Sequence, residues 1–125
     1  GMCKDSIAFE VIRPCLQPDH KYLLQAIKAS GEMKAKDSAI LIIPFLKDKS
    51  PVIRRESAIA LQKVTNSQAL DNLLDCLNDP YQEVRYSAER ALLNLSPFPE
   101  KQLKKVYEKA TGMQKAHLKK ILNIN

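Results

Sequence analysis

The sequence predicts an all-α protein in which about four helix pairs stack into a right-handed α-α superhelix, or solenoid. Two observations predict this fold class. A pattern that starts at Asp48 occurs again thirty-one residues later, at Asp79, and apolar residues within both copies recur at the spacing of one helix face. A unit of about 30 residues that cannot bury its apolar face alone is typical of a solenoid, in which neighbouring units cover one another.

The two copies agree in the residues that define a helix pair. Each has an apolar helix that ends in Leu-x-Asp, at Leu46 and at Leu77, followed by a turn that contains proline. The motif (Val/Ile)-Arg-x-x-(Ala/Ser)-x-x-Ala-Leu then begins at Ile53 and again at Val84. This pattern resembles the HEAT repeat family, in particular its short bacterial-type HEAT-like repeats. The resemblance implies a helical solenoid, and because such repeats serve many functions, it predicts the architecture more sharply than the activity.

The first predicted helix pair spans residues 5–30 and is degenerate. Its first helix covers 5–16, where apolar residues keep helical spacing. After a turn, Asp19 is in position to cap a second helix over 21–29, which we expect to end before Gly31. A degenerate unit is typical of the end of an array, because one of its sides has no neighbouring repeat.

The first regular repeat spans residues 37–64. Asp37 is a candidate N-cap for a helix over 38–47. Pro44 lies inside this helix and removes one backbone hydrogen bond, so we expect a bend there. The second helix of the repeat is predicted over 51–64.

The second regular repeat spans residues 67–95, with helices predicted over 68–78 and 81–95. The second helix of the preceding repeat begins at Ser50-Pro51, where serine caps and proline occupies the first turn. Asp79-Pro80 stands at the equivalent place, and we expect the same cap and first turn there.

The last helix pair is predicted over residues 100–124, with helices over 100–110 and 113–124. The pair keeps helical apolar spacing but lacks the Val-Arg motif, so we expect it to close the array. Phe98 stands between two prolines and is expected to fill the seam before this pair. Together the four pairs make one domain, residues 1–125.

Composition narrows the cellular setting. Apolar residues make up 45% of the 125 residues, enough for a core. The longest apolar run, residues 39–46, is too short to cross a bilayer. Acidic Asp5 and Glu10 occupy the place where a secretory signal needs an apolar segment. We therefore expect a soluble, cytoplasmic protein with no membrane contact.

The three cysteines predict neither a disulfide framework nor a zinc site. Cys3, Cys15 and Cys76 form no C-x-x-C pair and leave one cysteine over. Cys76 aligns with Phe45 of the preceding repeat, so we expect it to be a small buried apolar residue.

Positive charge is concentrated near the end of the chain. The net charge is +6 overall, −3 over residues 67–99 and +5 over residues 100–125. A basic segment can bind an acidic partner or a phosphate backbone, and it can also be the solvated face of a helix pair. The lysines concerned are Lys101, Lys104, Lys105, Lys109, Lys115, Lys119 and Lys120.

The resemblance to HEAT repeats implies a structural ladder of ion pairs. In this family the aspartate of a turn pairs with the arginine of the same or the next unit. Carried onto this sequence, the ladder consists of Asp48, Arg54, Asp79 and Arg85.

Residues that can meet a partner are those on the second helices that point away from the core, since equivalent positions of successive repeats lie side by side. Tyrosine and arginine are over-represented where binding energy concentrates. We therefore predict a partner-binding groove with Tyr86 and two arginines at its centre. The predicted residues are Arg55, Ile59, Lys63, Tyr86, Arg90 and Leu93.

The sequence gives no catalytic constellation. His20 and His117 are predicted at opposite ends of the stack, so they cannot share a metal ion. The one nucleophile near a base is Cys15 with His20, and nothing orients that imidazole. We expect no catalytic residues, no metal and no cofactor.

Three function classes remain open. A small scaffold that binds another protein through the groove is the first. The second is binding of nucleic acid or of an acidic partner through the basic last pair. Because some proteins with similar repeats resemble bilin lyases of photosynthetic antennae, a bilin-lyase-like accessory enzyme is the third. The oligomeric state is left open.

The repeat register makes a testable prediction. Ala88→Glu or Ala91→Glu is expected to unfold the stack, because both small residues lie where helices approach closely. In a thermal melt, either variant should lose the cooperative transition. Tyr86→Ala is expected to leave the melt nearly unchanged if that side chain faces the groove. An unchanged melt for the alanine-to-glutamate variants would contradict the register.

Overall fold

The computed structural model describes residues 9–124, which contain helices and no strand. This confirms the predicted all-α class. The part of the predicted first helix at residues 5–8 lies outside the described residues. The helices are α1 (residues 9–12), α2 (Leu23–Glu32), α3 (Ser38–Ile42), α4 (Pro51–Lys63), α5 (Leu70–Cys76), α6 (Gln82–Leu93), α7 (Glu100–Lys109) and α8 (Gly112–Ile121). Between residues 9 and 124 no helix combines the length and the hydropathy that a bilayer crossing needs.

The helices pack as a stack of pairs. The second helices lie side by side in chain order, α2 against α4, α4 against α6, and α6 against α8. On the other side of the stack, the segment that follows α3 packs against α4 and α5, while α5 packs on α6 and α7 on α8. Each unit therefore touches its neighbours along the chain, which is the arrangement of a helical solenoid.

The core runs between the two sets of helices. Ala58, Ala88 and Ala91 are fully buried on the second helices, with Leu61 and Leu92 beside two of them. Burying a leucine side chain contributes about 2 kcal/mol, whereas the alanines contribute by their small size, since they let helix axes come close. The predicted burial of Ala88 and Ala91 is confirmed.

The closest helix contact joins α2 to α4 at Gly31. A Cβ atom on Gly31 would lie 3.1 Å from the Cα atom of Ala60 and 3.2 Å from its Cβ atom. Helix α2 continues through Gly31 to Glu32. The predicted end of this helix before Gly31 was wrong, because the glycine serves a close approach between helices instead of a helix end.

Two predicted aspartate caps were wrong. Asp37 already has helical backbone angles and makes no side-chain cap, and Ser38 Oγ donates to the Ala35 carbonyl. Asp19 has a positive φ of 63° and pairs with Lys49. The N–H of Tyr22, just before α2, is accepted by His20 Nδ1 instead.

The starts of α4 and α6 differ although their sequences are equivalent. Ser50 caps α4 by accepting from the Ile53 N–H, and Pro51 occupies the first turn, as predicted. Helix α6 begins two residues after Pro80, and Tyr81 at its N-cap has no side-chain cap bond. Asp79 accepts the Tyr81 N–H at 2.9 Å within the turn, so the predicted cap at Asp79-Pro80 was wrong.

Pro44 changes the type of helix. Helix α3 ends at Ile42, and the segment Ile43–Lys47 continues as a 3-10 helix with proline in its first turn. The bend expected at Pro44 therefore takes the form of a change from α to 3-10 geometry. Pro44 stands in the first turn of the new helix, where the backbone N–H that proline lacks has no acceptor within the helix. Similar 3-10 segments occur at Arg13–Cys15, also with proline, and at Ser67–Ala69.

The last pair is joined less tightly than expected. Phe98 is 39% exposed, so it does not fill the seam before α7. Within α7 only Leu103 is buried, and α8 connects to the preceding repeat through Gln114, whose Nε2 donates to the Leu74 carbonyl at 2.9 Å.

The contact between α2 and α4 generates a stability prediction. Gly31→Val is expected to lower the free energy of unfolding by about 1–3 kcal/mol, because the added side chain overlaps the backbone of Ala60. Chemical denaturation followed by circular dichroism measures this change. Gln25→Val on an exposed position of α2 controls for the helix propensity of valine. Equal losses in the two variants would contradict the close contact.

Candidate functional site

The second helices are fastened together along the face that points away from the first helices. Gln62 Nε2 donates to the Ser87 carbonyl at 3.0 Å, and Asn94 Nδ2 donates to the Gln62 carbonyl at 3.1 Å. Gln62 and Asn94 occupy positions that the repeat register assigns to this face. Their side chains therefore fix α6 against α4 and are not free for a partner.

Helix α6 presents the exposed part of this face. Tyr86 is 41% exposed and Leu93 is 49% exposed, and Arg90 between them is exposed as well. Because these positions are three or four residues apart, they lie on successive turns of one helix side. Arg90 makes no ion pair within residues 9–124. These three predicted residues are brought together.

The predicted residues of α4 extend this face in the other direction, towards α2. Ile59 and Lys63 line a recess of about 40 Å³ between α2 and α4. Lys63 forms an ion pair with Glu32 of α2, and this hydrogen bond and charge lower the pKa of the Glu32 carboxyl. Arg55 Nε donates to Glu56 Oε2 at 3.2 Å. Arg55 and Lys63 therefore have carboxylate partners already.

A cluster that the sequence reasoning missed joins α6 to α8. His117 Nδ1 lies 2.9 Å from Glu89 Oε1, and both side chains are nearly buried. The imidazole meets the ring of Tyr86 edge-on, with 5.5 Å between ring centres. Lys120 Nζ lies 3.6 Å from the same Glu89 oxygen and 5.0 Å from the centre of the Tyr86 ring. Four side chains of two repeats thus form one contact.

The thirty-one-residue period of the repeats could have predicted this cluster. His117 lies thirty-one residues after Tyr86, and Lys120 lies thirty-one residues after Glu89. Equivalent positions of adjacent repeats are neighbours, so the period places both pairs together. Because Tyr86 packs on His117, we expect Tyr86→Ala to lower the unfolding temperature, contrary to the expectation from the sequence.

Two of the ladder residues form an ion pair between successive repeats, which we call a rung of the ladder. Arg54 Nε donates to Asp79 Oδ2 at 2.7 Å and Nη2 donates to Oδ1 at 3.2 Å. The side chains are 14% and 7% exposed. The aspartate thus pairs with the arginine of the preceding repeat, and not with that of the same or next one. Among the described residues Asp48 makes no such pair: its carboxylate accepts the Ser50 N–H, and its carbonyl accepts from Arg54.

The ladder stops at Arg85. Its Nη1 donates to the Asp79 carbonyl at 2.6 Å, as Arg54 Nη1 does to the carbonyl of Asp48. Its Nε atom is buried and has no hydrogen-bond partner within residues 9–124. One period after Asp79 the sequence has Ala110, so the carboxylate that would complete the next rung is missing from that position.

The lysines of the last pair divide into groups. Lys104 pairs with Glu100 at 3.5 Å, Lys115 lies 5.1 Å from the centre of the Tyr107 ring, and Lys120 belongs to the cluster at Glu89. Lys104 and Lys120 thus have carboxylate partners, and Lys115 lies against an aromatic ring. Exposed lysines of this pair without an ion-pair partner within residues 9–124 are Lys101, Lys105, Lys109 and Lys119.

The cysteines and histidines show no arrangement for nucleophilic chemistry. Burial, reinforced by the charges of Asp79 and Asp75, raises the pKa of the Cys76 thiol to about 12. Cys76 therefore stays protonated at neutral pH and acts as the buried apolar residue that was predicted. Among the described residues no hydrogen bond joins Cys15 to His20, and no group of three or more His, Cys, Asp or Glu could hold a metal ion.

An open cavity of about 530 Å³ lies on the first-helix side of the stack. Its apolar lining includes Leu16 and Pro18, which follow the 3-10 helix Arg13–Cys15, and Pro44 and Phe45 of the 3-10 helix Ile43–Lys47. At its rim Lys49 pairs with Asp19 at 3.0 Å, and this hydrogen bond raises the pKa of the Lys49 ammonium. The partner-binding prediction did not include this side.

The rung between repeats generates a stability prediction. Asp79→Asn is expected to lower the free energy of unfolding by about 3 kcal/mol, because it leaves the largely buried Arg54 guanidinium without a counter-charge. Asp48→Asn is the matched control: both aspartates accept a backbone N–H two residues later, but only Asp79 binds an arginine side chain. The control should lose about 1 kcal/mol. Equal losses in urea denaturation would show that the ion pair adds nothing.

Comparison with known proteins agrees with the geometry. A family model described as HEAT repeats matches residues 9–93, which cover the described part of the first pair, the first regular repeat and the second regular repeat as far as residue 93. A search of curated proteins finds no match. The match covers more than half of the chain, and the stacked helix pairs are the feature that the resemblance predicted. The chain belongs to the HEAT repeat family.

Proposed function

We propose that this protein is an interaction scaffold that binds another protein through the face of its second helices. The centre of the binding surface is the exposed side of α6, with Tyr86, Arg90 and Leu93. HEAT repeats are generally protein-interaction scaffolds, and this role requires neither a catalytic residue nor a cofactor.

The proposal rests on the amino-acid composition of the exposed side of α6. Aromatic residues and arginine are enriched at protein interfaces, and a few of them dominate the binding energy. Tyr86 and Leu93 leave 41% and 49% of their surface exposed. Arg90 lies between them with no carboxylate partner among the described residues, so a partner can bind its guanidinium without displacing an existing ion pair.

The rigid attachment of α6 to its neighbouring helices also supports a binding role for this surface. Helix α6 is fixed to α4 by Gln62 and Asn94, and to α8 by the contact of Glu89 with His117. A surface held on both sides loses little conformational freedom when a partner binds, which favours affinity. Arg55 and Lys63 lie towards the margin, because each would exchange an existing carboxylate partner for a new one.

The position of the partner can be tested by site-specific crosslinking. A photoreactive benzoylphenylalanine in place of Leu93 is expected to crosslink one protein in cells from which the gene comes. The same residue in place of Ile40 is the control, since Ile40 is 46% exposed on the first-helix side. Nuclease treatment before isolation removes proteins that are bridged by nucleic acid. The same product from Ile40 and none from Leu93 would contradict the proposal.

A substitution then tests the role of the arginine. Arg90→Ala is expected to weaken binding of the crosslinked protein about 10- to 100-fold, which corresponds to about 1.4–2.8 kcal/mol. The melting curve should stay unchanged because Arg90 is exposed. Arg13→Ala offers a comparison, since Arg13 is an exposed arginine of the first unit. An affinity that is the same for Arg90→Ala as for wild type would exclude this residue from the interface.

A further inference from the structure

Helix α7 carries a basic surface that the proposed scaffold function does not use. Lys101, Lys105 and Lys109 follow one another at intervals of four residues, and all three are exposed. We call these three residues the lysine row. Four residues of an α-helix advance about 6 Å and rotate about 40° past one full turn. The three lysines therefore lie on consecutive turns within an arc of about 80°.

The opposite side of α7 is covered. Leu103 is fully buried, and Val106 and Tyr107 are partly buried against the core. The remaining residues of the helix are exposed and all are polar or charged. The lysine row therefore lies among exposed polar and charged side chains of α7, on the side opposite Leu103.

The charges around the lysine row leave it positive. Within residues 9–124 none of its three members has an ion-pair partner. Glu100 is engaged by Lys104 at 3.5 Å, and Glu108 is the other acidic residue of the helix. Lys105 and Lys109 also border an open cavity of about 520 Å³ between α7 and the start of α8, and the rest of its lining is Val106, Glu108, Ala110 and Gln114.

The chemistry of this surface distinguishes between classes of macromolecule. Cores of protein interfaces are depleted in lysine and built around apolar or aromatic residues, and the exposed side of α7 has none. Insertion into a bilayer needs an exposed apolar side, whereas that of α7 is covered. A phosphate backbone, in contrast, is bound by lysines alone and requires no apolar centre.

We propose that the lysine row binds the phosphate backbone of a nucleic-acid duplex without reading its sequence. Single-strand binding depends on aromatic side chains on which bases stack. The exposed side of α7 offers none, because Tyr107 is partly buried and lies beneath Lys115. A duplex is therefore preferred over a single strand. The site is separate from the protein-binding face on α6.

Fluorescence anisotropy with a labelled DNA duplex of about 20 base pairs tests this proposal. The duplex is titrated with wild type and with the triple variant Lys101→Gln, Lys105→Gln, Lys109→Gln. At 50 mM salt we expect the triple variant to bind at least about tenfold more weakly. The slope of log affinity against log salt should become shallower by about 0.9 for each lysine removed. Melting curves should coincide, since the three side chains are exposed.

A matched control separates the lysine row from net charge. Lys21→Gln, Lys34→Gln, Lys36→Gln removes the same charge from exposed positions of the first half of the chain. We expect this control to lose less than about twofold in affinity and to keep the salt slope. Equal losses in both triple variants, absence of duplex binding at 50 mM salt, tighter binding of a single strand, or binding of anionic lipid vesicles in place of the duplex would each overturn the proposal.

Discussion

The close packing of the second helices is the constraint on which the rest of the fold depends. Gly31 lets α2 approach α4 until a single added carbon atom would touch the Ala60 backbone. Buried alanines at 58, 88 and 91 serve the contacts of α4 and α6. Because the second helices lie close, side chains of neighbouring repeats share one surface, and Tyr86 can touch His117 of the following pair. Both the stability and the proposed binding face derive from this spacing.

The arginine–aspartate rung links the turns of two successive repeats. Arg54 binds the carbonyl of its own turn and the carboxylate of the next, so one guanidinium fixes the distance between two loops. A rung needs an arginine in one repeat and an aspartate in the following one. The first unit has Leu23 at the arginine position, and the last pair has Ala110 at the aspartate position. The rung therefore occurs once among the described residues, and Arg85 is left with a buried Nε atom.

The sequence predicted the helices well because apolar periodicity reports burial directly. The bounds of α4, α6 and α7 differ from prediction by two residues or fewer. Caps were predicted poorly, because an aspartate side chain can bond to the backbone of a turn as readily as to a helix N-terminus, and Asp79 does the former. The end of α2 was predicted wrongly at Gly31 for a related reason. Glycine permits both a helix end and a close contact between helices, and which of the two occurs depends on the neighbouring helix.

Contacts between repeats were the hardest part of the candidate site to predict. Composition and helix periodicity treat Glu89, His117 and Lys120 as separate surface residues, and only the thirty-one-residue period relates them. That period also explains why Lys120 has a carboxylate partner in the preceding repeat, which none of the α7 lysines has among the described residues. Lys120 faces Glu89 across a repeat boundary, whereas α7 packs chiefly on α8.

The two proposed surfaces lie on different helices, and both of these helices pack on α8. Helix α8 supports the binding face of α6 through His117, while the lysine row lies on α7, whose buried side packs on α8. Substitutions in the lysine row therefore leave the α6 face intact. A protein bound to α6 would be held within the length of this small domain from a duplex bound to α7. At such a separation the second binding event becomes intramolecular, with an effective concentration in the millimolar range on the order of that for short linkers. Two weak contacts would then be enough to place a partner protein on nucleic acid, without sequence-specific contacts by the scaffold itself.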